Sequence, residues 1–194
     1  MKNNKTVTRK EFLTSSAKQI FGFFAGIFSE TLDDIENTFP DRIRPPGAIP
    51  EDEFLSKCTH CGKCVKACQY SAIKLLDQIG SLDFGTPVIN IGGNYCRFCS
   101  DQPCSVACDS SALVFQPDKI EKIGTAVISG ESCLRMQQIS CIACSVACPG
   151  KFNAIRFSQP TLPPVISVEK CSGCGACVAV CNASPVAIKI IKKN

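Results

Sequence analysis

Sixteen cysteines stand in four groups of four: Cys58, Cys61, Cys64 and Cys68; Cys96, Cys99, Cys104 and Cys108; Cys133, Cys141, Cys144 and Cys148; Cys171, Cys174, Cys177 and Cys181. The first and last groups read C-x2-C-x2-C-x3-C. Three thiolates at every third residue reach three neighbouring corners of a cubane iron-sulfur cluster from one tight loop, and the fourth corner takes a distant cysteine. Zinc asks for four ligands around one ion, usually from two separated C-x2-C knuckles, and has no use for this spacing. Disulfides are the other rival on cysteine content alone. A disulfide framework has no reason to repeat this spacing, and the chain shows no cleavable secretory signal.

The middle groups are stretched: C-x2-C-x4-C-x3-C from Cys96 and C-x7-C-x2-C-x3-C from Cys133. Each still supplies four thiolates, so all sixteen cysteines are the expected metal ligands and four 4Fe-4S clusters the expected cofactors. Two ways of sharing the fourth ligand are open. Because the two regular groups bracket the two irregular ones, the favoured reading pairs first with fourth and second with third. Cys181 then joins Cys58, Cys61 and Cys64; Cys68 joins Cys171, Cys174 and Cys177; Cys148 joins Cys96, Cys99 and Cys104; and Cys108 joins Cys133, Cys141 and Cys144. The rival pairs first with second and third with fourth.

The elements that must carry these ligands are short. After each group comes an apolar run: Ser71 to Leu76, Ser111 to Phe115, Asn153 to Phe157 and Val186 to Ile190. This repeats a half-module of cysteine loop, short helix and strand. The expected fold class is α+β, with tandem bacterial-type ferredoxin-like modules built around the clusters and an N-terminal amphipathic helix. Three zones follow: residues 1–40, a helical segment with six of the twelve Phe; 41–53, a Pro-rich acidic connector; and 54–194, the cluster domain. With no Trp and two Tyr, the clusters must supply much of the core, and the apoprotein is expected to be largely unfolded.

In the first zone Leu13, Ala17, Ile20, Phe24, Phe28, Leu32 and Ile35 form one apolar helical stripe. The uncharged stretch from residue 19 to residue 29 is far shorter than the roughly 20 residues a spanning helix needs. The segment is expected to pack on the cluster core, or to dock on a partner or peripherally at a membrane surface. Thr8-Arg9-Lys10-Glu11-Phe12-Leu13 looks like a degenerate twin-arginine signal, interrupted by Lys18. A cytoplasmic location, peripheral to the inner membrane, is favoured over periplasmic export.

The formal net charge of +4 counts every cysteine as neutral. Sixteen thiolates against four cores of +2 each bring it to about −4. With no basic run carrying interleaved aromatics, nucleic acid is not an expected partner. Gly92-Gly93 lacks the spacing of a nucleotide loop. His60, the single histidine, lies within the first cysteine loop, where thiolates already fill the ligand positions, and no catalytic residues are expected.

Several matches lie outside the cysteines: Arg44-Pro45-Pro46-Gly47-Ala48 with Phe54-Leu55, Gly85-Thr86-Pro87, Gln102-Pro103 within the second group, Gly124-Thr125-Ala126-Val127 before Cys133-Leu134, and Gly173 and Gly175 in the last group. Through them the chain resembles, from about residue 42 to 192, the ferredoxin-type accessory proteins of the NapF, NapG and MauM types. The resemblance implies four 4Fe-4S clusters and electron transfer beside a redox system. It also implies a redox partner, such as a nitrate reductase-like molybdoenzyme or a membrane quinol-oxidising ferredoxin protein. Pro usually follows the fourth cysteine in this family, yet Gln69, Asp109 and Asn182 stand in three such places and Pro149 in the other. The alternative is a maturation factor that delivers or protects a cluster for a partner such as a molybdoenzyme; a structural zinc protein is the third reading.

Overall fold

The four apolar runs decide how the chain folds back. The computed structural model describes residues 42–117 and 121–192, so the amphipathic segment expected over residues 1–40 lies outside the described residues. The described elements, in order, are α1 (Glu51–Lys57), α2 (Lys63–Ala67), β1 (Ile73–Leu75), β2 (Pro87–Ile89), α3 (Pro103–Val106) and β3 (Gly124–Ile128). A 3-10 turn (Leu134–Gln137), α4 (Ala143–Ala147), β4 (Ile155–Arg156), β5 (Val165–Ile166), α5 (Ala176–Ala179) and β6 (Ile188–Lys192) follow. The helices are far too short to persist alone, so packing holds them.

Three of the runs become strands: β1 pairs antiparallel with β2, β4 with β5, and β6 with β3. The second run makes a single bridge, Leu113 to Ala48. Its partner there is the turn at Gly47, where φ is +82° and a Cβ would lie 2.3 Å from the Val114 carbonyl oxygen. Glycine is required at that approach.

These pairings repeat. In residues 42–117 the segment before the first cysteine group meets the last run, and β2, before the second group, meets the first run. In residues 121–192, β3, before the third group, meets the last run, and β5, before the fourth group, meets the first. The chain is thus two halves of one topology. Ile43, Ile73, Ile89 and Phe98 of the first half share a buried core with Ala126, Ile155, Val178 and Ile190 of the second. Phe54, fully buried on α1, anchors a smaller cluster with Ala112 and Leu113.

Arg44 runs through the first half as a buried cation. Its guanidinium donates to Thr86 Oγ1 at 2.7 Å, the Pro87 carbonyl at 3.0 Å and Glu51 Oε1 at 2.6 Å, and lies 4.7 Å from the centre of the Phe54 ring. The two sequence stretches around Arg44 and Thr86 are therefore one structural unit.

Candidate metal centres

Each half surrounds two apolar cavities, and four cysteines line each of the four. Cavity I takes Cys58, Cys61, Cys64 and Cys108. Cavity II takes Cys68, Cys96, Cys99 and Cys104. Cavity III takes Cys133, Cys141, Cys144 and Cys181, and cavity IV takes Cys148, Cys171, Cys174 and Cys177.

This overturns the favoured pairing of first with fourth and second with third. Cys181 does not join Cys58, Cys61 and Cys64, nor does Cys68 join the last group; Cys148 and Cys108 likewise stay within their own halves. The reason is the strand pairing. Each apolar run turns back onto a strand of its own half, so the short helix before it delivers its last cysteine to the neighbouring group.

The irregular spacings leave the ligand geometry intact because the extra residues build structure of their own. In the second group Gln102 exchanges hydrogen bonds with the Gln116 backbone and Pro103 opens α3. In the third group the additional residues form the 3-10 turn, held by buried Arg135. Its guanidinium donates to the carbonyls of Leu162 at 2.8 Å, Cys141 at 3.1 Å, Gln159 at 3.1 Å and also Pro160, and it lies over the Phe157 ring.

Backbone amides point at the sulfurs. The Ala72, Leu113 and Ala154 N–H groups donate to Cys68, Cys108 and Cys148 Sγ at 3.3, 3.3 and 3.4 Å, and Ala126 N–H donates to Cys171 Sγ at 3.3 Å. The first three lie at the start of an apolar run, so the same fold-back that places the ligand also solvates it.

Burial pushes the Cys64 thiol up to about 11, with the charges of Cys108, Cys58 and Cys104 adding to it. Burial likewise pushes Cys96 and Cys177 up to about 12, again with neighbouring cysteines raising them further. Cys61, exposed, is instead lowered by the Lys63 backbone N–H and the Thr59 side chain. Thiolates gathered in apolar walls call for a compact polycation.

All sixteen cysteines are free of disulfides. Among the described residues no three His, Cys, Asp or Glu side chains converge as a single metal ion would require. Four cysteines around one cavity, too spread for one zinc and supported at Cys68, Cys108, Cys148 and Cys171 by backbone N–H groups, fit a cubane core of several irons. His60 is exposed at the rim of cavity I, beside Gly85 and outside the thiolate set. Sequence reasoning did not single out Arg135 or the sulfur-directed amides. Arg44 stood inside a matched stretch, but its burial carried no signal of its own.

A 4Fe-4S binding domain model matches residues 54–74, and a second 4Fe-4S binding domain model matches residues 168–184. The methylamine utilization ferredoxin-type protein MauM of Methylorubrum extorquens is 33% identical over 208 residues, covering 100% of this chain and 93% of that protein. The ferredoxin-type protein NapG of Escherichia coli is 36% identical over 162 residues, covering 77% of this chain and 70% of its own length. NapF of Escherichia coli is 34% identical over 148 residues, covering 74% and 82%. No solved structure matches the chain. Shared sequence over the whole chain and cysteine-lined centres together place it in the MauM, NapG and NapF family of ferredoxin-type electron-transfer proteins with 4Fe-4S binding domains.

Proposed function

We propose that the sixteen cysteines hold four 4Fe-4S clusters, one in each cavity, in two ferredoxin-like modules, and that the protein relays electrons to or from a partner oxidoreductase without a substrate site of its own. The observation that carries this reading is the convergence of four thiolates on each of four apolar cavities. A bound 4Fe-4S cluster supplies one-electron redox chemistry in which no ligand bond is made or broken. The chain does the rest. The amides of Ala72, Leu113, Ala126 and Ala154 stabilise negative charge on the ligand sulfurs, and apolar walls limit access of water.

The proposed partner is a redox protein, such as a nitrate reductase-like molybdoenzyme or a membrane quinol-oxidising ferredoxin protein; the MauM relative is named for methylamine utilization. Placement in the cytoplasm against the inner membrane, with residues 1–40 as the contact, goes with this proposal.

Anaerobic iron and sulfide counting followed by a redox titration with EPR spin counting tests it. Four clusters that reduce and reoxidise without loss are expected. Fewer clusters, or clusters that transfer to an added apo-enzyme, would replace the carrier with a maturation factor.

A further inference from the structure

The carrier reading leaves open which centre of one half meets the other half. Within each half adjacency follows from the helices. Cys64 and Cys68 flank the turn of α2 and belong to cavities I and II, and Cys104 and Cys108 flank α3 and belong to II and I. Four helical residues advance about 6 Å, so cavities I and II are near neighbours. Cys144 on α4 with Cys148 just after it, and Cys177 on α5 with Cys181 just beyond its end, do the same for cavities III and IV.

Between the halves one contact joins ligand to ligand. The Cys96 amide of cavity II donates to the Cys174 carbonyl of cavity IV at 3.0 Å. Further contacts fall on the same two cavities, while Lys192 Nζ of β6 reaches Glu51 Oε2 of α1 at 3.1 Å. Lys151 Nζ donates to the Arg97 and Phe98 carbonyls at 3.0 and 2.9 Å, and Phe98 of cavity II meets Phe152 of cavity IV edge to face at 5.5 Å. A Cβ on Gly175 would sit 3.0 Å from Ile91 Cδ1, so the loop after β2 rests directly on the last cysteine loop. In cavity I, Cys61 is exposed. Beside cavity III the exposed apolar side chains are Met136, Ile139 and Ile142.

We propose that the four centres stand in single file, I–II–IV–III, with the passage between the halves at the Cys96 amide and the Cys174 carbonyl. The order differs from the sequence order of the cysteine groups, because the second half is entered at its last group. Centres I and III are then the two termini. The proposal rests on the reading that each cavity holds a cluster.

The test is EPR of the full-length, fully reduced holoprotein, in which dipolar broadening between neighbouring spins falls steeply with separation. Cys61→Ser with Cys141→Ser removes a ligand from each terminal centre and is expected to leave two spins per chain, in II and IV, that broaden each other. Adding Cys171→Ser should collapse that broadening. Cys99→Ser with Cys171→Ser leaves I and III, whose two spins are expected to be mutually unbroadened. The reverse pattern overturns the order. Should the variants fail to fold, hydrogen exchange on the unmodified holoprotein decides: segments 95–98 and 172–175 are expected to exchange about tenfold or more slowly than the exposed loop 77–82. Equal rates overturn the junction. Fewer than four clusters in the unmodified protein, with the junction still protected, would fail the carrier reading and not the contact between the halves.

Discussion

Gly173 and Gly124 meet backbone to backbone. A Cβ on Gly173 would lie 2.5 Å from the Gly124 nitrogen and 2.6 Å from its Cα, and φ at Gly173 is +79°. The last cysteine loop is thereby laid flat on β3, whose Ala126 amide donates to Cys171 Sγ. Gly173→Ala is expected to lift that loop and cost cavity IV its cluster first. Iron per chain should fall by about a quarter while the other centres persist. Iron analysis with spin counting checks this.

Removal of Arg44 should destabilise the first half. Arg44→Met strips donors from Thr86, Pro87 and Glu51 while keeping much of the apolar stem. The expected cost is about 2 kcal/mol, below that of a fully buried pair because Glu51 is partly exposed. The rate of visible bleaching in guanidinium reads it. Arg44→Lys should not rescue, since a single ammonium cannot span three acceptors.

Glu51 gives the same region a pH dependence. Burial opposes its ionisation, but hydrogen bonds and charge from Arg44, joined by Lys192, outweigh burial and hold its carboxyl below the ordinary value. Its contribution is then present above the unfolded pKa and lost as pH falls through the lower folded value. The stability difference between the native chain and Glu51→Gln should shrink from about pH 5 to about pH 3. Bleaching rates across that window measure it.

Arg135 governs the third centre. Arg135→Gln leaves several carbonyls of the Gln159–Leu162 loop, and that of Cys141, without their donor. With a chelator present, cavity III should lose iron at least about threefold faster than in the unmodified protein, on a loss of about 1 kcal/mol. Time-resolved iron release with EPR reads the difference.

Assembly should release protons. A thiol in an unfolded chain has a pKa of about 8.5 and is mostly protonated near neutrality before metal binds, and in the fold burial pushes Cys64 up to about 11 and Cys96 and Cys177 up to about 12. Protons compete with iron for each, so anaerobic reconstitution should proceed further and faster as pH rises from about 7 to about 9. A pH-independent yield would refute it.

The proposed ligands were legible in the sequence because ligand spacing is local: three cysteines in seven residues read as cluster ligands without any fold. It also showed the apolar runs, since alternation follows from the strand period. Gln102 and Arg135 explain why the stretched groups still deliver four cysteines each, a point that counting residues between cysteines left open.

Which distant cysteine completes each set was decided in three dimensions. Cys68 and Cys181 each follow a regular motif and look interchangeable in sequence, yet β1 folds onto β2 and β6 onto β3, carrying them to cavities II and III. Arg44 makes the same point from the core. Its identity was visible, but its bonds to Thr86 and Pro87, more than forty residues away, exist only once the strand register closes them. Local spacing selects the ligand chemistry because it acts within one turn of chain; partnership between groups depends on long-range hydrogen bonding and close backbone packing, which no local pattern encodes.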